Sequence, residues 1–325
     1  MKAWHIGEFN DIKLKEGTLT PLEGEVKLKV SKVALSSVGV SGFILRDNGD
    51  VTVPAHSAIG YVCADDEALG FKLGSRVAIS PFIKTVEHGE TIIKTMGLDT
   101  DGLLRDFVCV PQENVFALPD GIADEDAVFA DYIAMGNKVF SALPCNEGDY
   151  IVVVGAGTLG LVLCQLAVYY QMVPVLVDLD NDKLELAKKW DVYYTLNPTY
   201  DNLERKVEEI TGGRMCEAAV FTSEGVELNT ALRLVKNGSE VVIAGYSTYK
   251  KHNIDIETVL KKRLILKGVS DGAGEMPSAI NLLANKIVHT DGIITERVYF
   301  DDVPRIIDDC IKYPYKYNTV LFNVD

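Results

Sequence analysis

Between about residues 123 and 271, apolar strands alternate with amphipathic helices along the chain. Residues 151–154 are all β-branched and apolar, which is typical of a parallel strand buried on both faces. Apolar positions then recur at helical spacing over 159–170, and a second apolar strand, 173–177, follows. The other predicted elements are helices at 182–189, 202–211, 226–235 and 256–262 and strands at 218–222, 240–244 and 264–269. This alternation predicts a doubly wound parallel sheet of the α/β class.

The first 120 or so residues follow a different pattern, in which short runs of alternating apolar positions are separated by Gly and Pro. The clearest runs are 26–33, 59–63, 77–79 and 107–110. They predict an antiparallel, barrel-like β domain. Asp124 is the predicted N-cap of the first helix after this region. Past residue 271 we expect helices at 276–287 and 303–312 and strands at 296–300 and 319–324, with both strands returning to the β domain.

Composition and charge narrow the class of protein. The 325 residues include 47 acidic and 32 basic side chains, for a net charge of −15, which disfavours nucleic-acid binding. No apolar run approaches the ~20 residues of a membrane span, and residues 1–5 do not resemble a signal peptide. The six cysteines lack C-x-x-C spacing and are expected to be reduced thiols. We therefore expect a cytoplasmic protein that binds a small molecule and neither nucleic acid nor membrane.

A glycine-rich turn, Gly155-Ala-Gly157-Thr-Leu-Gly160, joins the first apolar strand to its helix. In a dinucleotide fold these glycines allow a tight turn, close approach of a pyrophosphate and close packing of the helix, respectively. The amides of Thr158 and Leu159 open the helix and are predicted to bind phosphate. The alternative interpretation is a glycine-rich strand–helix turn that binds nothing.

Asp178 ends the second strand, near the ~20-residue offset at which an acidic side chain accepts the ribose hydroxyls of NAD. Its charge would repel the 2′-phosphate of NADP, and no arginine follows it in 179–183. The predicted cofactor is therefore NAD.

Several segments together resemble the medium-chain dehydrogenase/reductase superfamily, which contains the zinc alcohol and polyol dehydrogenases. They are Gly74–Ala78, Asp101–Pro111, Leu118–Gly121, Asp178 with Lys183–Lys188, and Leu234–Val242. The resemblance implies a Rossmann dinucleotide-binding domain over 123–271 and a GroES-like β-barrel catalytic domain over 1–122 and 272–325. It also implies that Lys183, Thr222, Gly245, Tyr246 and Ser247 lie at the cofactor, and that the chain forms a homodimer or homotetramer.

The metal ligands of the family are mostly missing. The interval 80–100, where the structural zinc lobe carries four cysteines, has none. At the three catalytic ligand positions the chain has Gly39, His56 and Asp131, so the thiolate is lost. We therefore expect no zinc and assign no metal ligand. The alternative is that His56 and Asp131 hold a metal with a third ligand.

Without zinc, another group must handle the proton and the developing oxyanion. Ser41 matches the proton-relay hydroxyl of the family. His56 is a candidate acid or base because an unperturbed histidine titrates near neutral pH, and Asp131 would orient it. The alternative for His56 is a purely structural histidine.

The leading hypothesis is an NAD(H)-dependent oxidoreductase acting on a hydroxyl or ketone group of a small, polyhydroxylated substrate without zinc. One alternative is a zinc-independent reductase of activated C=C bonds or quinones. Another is a catalytically inactive NAD-binding protein.

Overall fold

The computed structural model describes residues 1–7, 11–36, 39–40, 52–65, 70–222, 225–245, 251–313 and 316–324. The chain forms two compact units. The first unit comprises Met1–Ala134, Ala273–Asn285 and Thr290–Asp325, and the second comprises Met135–Gly272 and Lys286–His289. The domain boundaries expected at 122/123 and 271/272 stay a prediction. In the described part of the chain, no helix is both long and apolar enough to cross a membrane.

The first unit is built on a seven-stranded sheet with the order β16-β17-β3-β4-β5-β9, in which β8 also pairs with β3. Its strands are β3 (Glu25–Ser36), β4 (Ser57–Val62), β5 (Arg76–Ile79), β8 (Phe107–Pro111), β9 (Val115–Ala117), β16 (Ile294–Tyr299) and β17 (Thr319–Asn323). All pairings are antiparallel except β16 with β17. The expected return of the closing strands to the β domain is confirmed, because β17 pairs directly with β3.

Two separate hairpins belong to the same unit: β1 (Lys2–Ile6) with β2 (Ile12–Glu16), and β6 (Phe82–Glu87) with β7 (Glu90–Thr95). Its helices are α1 (Asp124–Ala127), the start of α2 (Ala130–Ser141), α8 (Met276–Ala284) and α9 (Val303–Lys312). On α9 the buried residues Val303, Ile306, Ile307 and Cys310 recur at helical spacing and join the core that β3 and β17 line.

The predicted N-cap at Asp124 is wrong. Ala123 occupies the cap position without a side-chain cap, and Asp124 is the first helical residue. Its carboxylate instead accepts hydrogen bonds from Arg76 Nη1 at 2.8 Å and from the Tyr61 hydroxyl at 3.3 Å. The carboxylate is thus bound by a guanidinium from β5, a partner that the local sequence pattern does not reveal.

The second unit contains a six-stranded parallel sheet with the order β12-β11-β10-β13-β14-β15. The strands are β10 (Tyr150–Val154), β11 (Val173–Val177), β12 (Tyr194–Leu196), β13 (Cys216–Phe221), β14 (Val235–Ala244) and β15 (Ile265–Val269). The helices are α3 (Thr158–Tyr169), α4 (Asn181–Lys188), α5 (Leu203–Thr211), α6 (Leu228–Leu234) and α7 (Ile256–Lys262). This strand order confirms the doubly wound α/β sheet and puts its switch point between β10 and β13.

Most element boundaries differ from prediction by one or two residues, and the largest difference is at β14, which begins at Val235 instead of at residue 240. The helix expected over 226–235 ends at Leu234, because β14 begins at Val235 and pairs there with Cys216. The helix expected over 276–287 ends at Ala284.

The strand β15 lies at the edge of the parallel sheet, where the expected association of chains would take place. The oligomeric state stays a prediction.

The environment of His5 on β1 generates a testable pH dependence. Its Nδ1 lies 2.7 Å from Thr52 Oγ1. Burial, with a smaller contribution from the charge of Lys15, lowers the pKa of His5 below its usual 6.5. As the pH falls below about 6.5, the unfolded chain therefore binds a proton before the folded chain does.

We expect the free energy of unfolding to fall between about pH 7 and about pH 5, and His5→Gln to reduce that slope. Urea unfolding at several pH values measures the free energy of unfolding and its slope with pH. His88→Asn, at an exposed histidine, is the control. A parent-like slope in His5→Gln would contradict the assignment.

Candidate functional site

In the second unit, the turn after β10 depends on close backbone contacts. Gly155 has a φ of 110°, which favours glycine, and its amide donates to Val177 O at 2.8 Å. A Cβ at Gly160 would overlap Gly155 O, so this position accepts only glycine while α3 lies this close to the strand. The predicted roles of Gly155 in the tight turn and of Gly160 in close packing are confirmed.

Gly157 is different, because the chain itself does not need a glycine there. Its backbone is extended, and a Cβ would meet no atom of the described residues within 4 Å. Thr158 and Leu159 have buried side chains, and the first helical bond of α3 runs from Leu161 N to Gly157 O. The turn therefore presents backbone amides and an open side, which fits close approach of a pyrophosphate.

Asp178 follows β11 and contacts the same turn. Its Oδ2 accepts a hydrogen bond from Ala156 N at 2.6 Å, and its Oδ1 accepts one from Asp180 N at 2.9 Å. The carboxylate is half-buried, and each oxygen can accept a further bond. Lys183 lies on α4 with Nζ 3.9 Å from Asp180 Oδ2, so its described ion pair is with Asp180. Its contact with a cofactor stays a prediction.

Thr222 follows β13 and ties that strand to the glycine turn. Its hydroxyl donates to Val154 O at 3.2 Å and to Gly155 O at 3.3 Å. Gly245 follows β14 with a φ of 153°, and its amide donates to Val269 O at 3.1 Å. Both lie at the carboxyl ends of parallel strands, where ligands of this fold bind. Tyr246 and Ser247 lie outside the described residues.

Asn197, which the sequence analysis missed, supports the segment after Asp178. It is buried, and its Nδ2 donates to Leu179 O at 2.9 Å and to Asn181 Oδ1 at 2.7 Å. The Asn-Pro pair after β12 is a turn signal that marks this position.

In the first unit, His56 and Asp131 form a buried pair. His56 Nδ1 lies 2.8 Å from Asp131 Oδ2, and the two residues are 8% and 2% exposed. Ser57 Oγ donates to the same Oδ2 at 2.7 Å and lies 2.9 Å from Nδ1. Because the carboxylate accepts from Nδ1, the neutral ring carries its proton there and its lone pair on Nε2. A histidine held in this tautomer can act as a general base.

Tyr132, also missed, packs against this pair. Its ring meets the His56 ring edge-on, with centroids 5.4 Å apart. Burial and the neighbouring Asp131 charge raise the pKa of Tyr132, against a smaller opposing effect of its hydrogen bond with Ser36, so the phenol is neutral. Ser41, the third predicted catalytic residue, lies outside the described residues.

Known proteins share this architecture over their full length. A family model described as zinc-binding dehydrogenase matches residues 158–285. An uncharacterized zinc-type alcohol dehydrogenase-like protein of Haemophilus influenzae is 24% identical, covering 98% of this chain and 97% of that protein. Sorbitol dehydrogenase of Bacillus subtilis is 23% identical, with 96% and 94% covered. The crystal structure of RspB from Escherichia coli in complex with NADH has a TM-score of 0.85 at 22% identity, covering 100% of this chain and 99% of that one.

Residues 158–285 thus match a zinc-binding dehydrogenase family model, and the relatives that cover nearly the whole chain support a dehydrogenase/reductase of the alcohol dehydrogenase type.

The described donor side chains do not form a zinc site of the kind expected from the resemblance to zinc alcohol dehydrogenases. Among the described residues, which include Gly39, no group of three His, Cys, Asp or Glu side chains is placed to hold a metal. Asp131 Oδ2 already accepts from His56 and Ser57. The interval of the structural zinc lobe contains the β6–β7 hairpin, which has no cysteine. Catalysis without zinc therefore stays a prediction, which rests on the chemistry of these side chains.

The two glycines of the turn can be separated experimentally. Gly160→Ala should lower the free energy of unfolding of the dehydrogenase by about 1–3 kcal/mol, because the new methyl group overlaps a backbone carbonyl. Gly157→Ala is the matched control, since its methyl group meets no described atom. Urea denaturation followed by circular dichroism measures both. Equal losses of stability would contradict the assignment.

Proposed function

We propose that this dehydrogenase uses NAD(H) to move a hydride to or from a hydroxyl or ketone carbon of a small, polyhydroxylated substrate, and that it does so without zinc. The cofactor proposal rests on the carboxylate of Asp178, which accepts a hydrogen bond from Ala156 N in the glycine turn. The likeness to sorbitol dehydrogenase supports the substrate class.

The Asp178 carboxylate favours NAD over NADP for an electrostatic reason. It can accept hydrogen bonds from the two ribose hydroxyls, whereas the 2′-phosphate of NADP would place negative charge beside it. The described ion pair of Lys183 is with Asp180.

Oxidation of an alcohol releases one hydride and one proton. The C–H bond breaks with its electron pair going to the nicotinamide ring, and the O–H proton passes to a base. We assign His56 as that base, since Asp131 holds its lone pair on Nε2. The resulting imidazolium is stabilised by the Asp131 carboxylate, and in ketone reduction the same ring returns the proton.

The cofactor proposal predicts that the parent protein binds NADH at least about tenfold more tightly than NADPH, a difference of about 1.4 kcal/mol. Asp178→Asn should narrow that difference, because it removes the charge and keeps an oxygen that accepts from Ala156 N. Titration of the protein fluorescence with both cofactors measures the affinities. Asp182→Asn, at an exposed acid on α4, is the control. Tighter binding of NADPH by the parent would refute the proposal.

The zinc-free proposal predicts far less than one zinc per chain in protein purified without chelator, and turnover of polyols that survives chelator treatment. His56→Gln should lower kcat by roughly 10²- to 10⁴-fold, the usual worth of a general base, without changing NADH affinity. Elemental analysis and a polyol panel give these values, with His88→Asn as the control.

Three possible results would contradict different parts of the proposal. One tightly bound zinc per chain, with activity lost on chelation, would overturn the zinc-free mechanism. Parent-like turnover by His56→Gln would remove His56 from it. A parent that binds NADH but turns over no alcohol or ketone would favour the inactive NAD-binding protein.

A further inference from the structure

The residue before His56 has a backbone conformation that its surroundings must impose. Ala55 is buried and has a φ of 75°, in the left-handed region that is unfavourable for a residue with a Cβ. This dihedral sets the direction in which the chain enters His56. The contacts that hold Ala55 in this conformation therefore fix the backbone from which the His56 side chain projects.

Three consecutive carbonyls before His56 accept hydrogen bonds from three consecutive amides of another loop. Gly102 N donates to Val53 O, Leu103 N to Ala55 O, and Leu104 N to Pro54 O; the N···O distances are 2.7, 2.8 and 3.1 Å, respectively. Residues 53–55 and 102–104 thus form a continuous backbone contact immediately before His56.

Asp101 fixes the start of the same segment. Its Oδ1 accepts from Thr52 N and from Val53 N, both at 2.9 Å. Its Oδ2 lies 3.9 Å from Nη2 of the buried Arg105. One carboxylate oxygen therefore holds the backbone of 52–53, while the other faces a guanidinium whose pKa is lowered by burial.

Gly102 permits this contact. A Cβ at Gly102 would overlap the carbonyl oxygens of Pro54 and Ala55, and one at Gly97 would lie 2.5 Å from Ala55 O. Glycine at both positions lets the backbones approach closely enough to hold the left-handed Ala55.

We infer that Asp101 and Gly102 are positioning residues that set the orientation of His56 through the backbone of 52–55. The inference rests on the proposed acid–base role of His56. Neither residue touches reacting atoms in this assignment; they act by keeping Nδ1 on Asp131 and hence the lone pair on Nε2.

The test compares two changes at Asp101. Asp101→Ala removes the acceptor for the amides of Thr52 and Val53, and should lower kcat roughly 10- to 100-fold while the KM for NAD stays within about twofold. Asp101→Asn keeps an oxygen at that place and should restore most of kcat. Asp99→Ala is the matched control, because the hydrogen bond that the Asp99 side chain accepts within the described residues comes from Thr95 N of its own turn.

A readout independent of activity follows His56 directly. With ¹⁵N-labelled histidine, and the His56 signals assigned by their loss in His56→Gln, NMR should show an Nδ1-protonated ring in the parent, Asp99→Ala and Asp101→Asn. In Asp101→Ala the two ring-nitrogen shifts should move towards a tautomer mixture. Added to His56→Gln, the Asp101→Ala change should lower kcat no further.

Folded Asp101→Ala with parent-like ring shifts and parent-like kcat would overturn the inference. So would a full additional loss of kcat in the double variant. If His56→Gln itself turns over normally, the proposed function of His56 fails, and the ring shifts alone then decide whether Asp101 orients it.

Discussion

The contact between α3 and the end of β10 leaves no room for a side chain, and the cofactor site depends on it. Gly160 faces Gly155 O, and any Cβ there would overlap that carbonyl. Two more groups converge on this turn from neighbouring strands: Asp178 accepts from Ala156 N, and the Thr222 hydroxyl donates to Val154 O and Gly155 O. Three parallel strands thus fix one turn at the switch point of the sheet, where this fold binds its ligands.

In the first unit, too, a glycine allows two backbone segments to approach closely. Gly102 lies against the carbonyls of Pro54 and Ala55, as Gly160 lies against Gly155. In the second unit the close approach shapes the turn after β10, whereas here it holds a left-handed residue beside His56. A strained backbone persists only where its surroundings over-determine it, and the bonds from 102–104 supply that constraint.

Features set by short stretches of sequence were predictable, and features set by distant contacts were not. The parallel sheet followed from apolar periodicity, and the roles of Gly155 and Gly160 from their spacing after a strand. Asp124 was misassigned because the guanidinium that binds it, Arg76, comes from another strand. The contact of Asp101 with 52–53 was missed for the same reason, since no local pattern records which backbone amides a carboxylate will meet.

The buried carboxylate of Asp131 has a cost that its contacts must offset. Taking an ionised carboxylate out of water costs several kcal/mol, and bonds from His56 Nδ1 and Ser57 Oγ to one oxygen offset part of it. Replacing a whole buried pair of this kind by apolar side chains of similar volume is often neutral or stabilising, so stability alone does not explain the pair. The pair is therefore better explained by the proposed proton transfer, in which the Asp131 carboxylate lies 2.8 Å from the ring that exchanges a proton with the substrate.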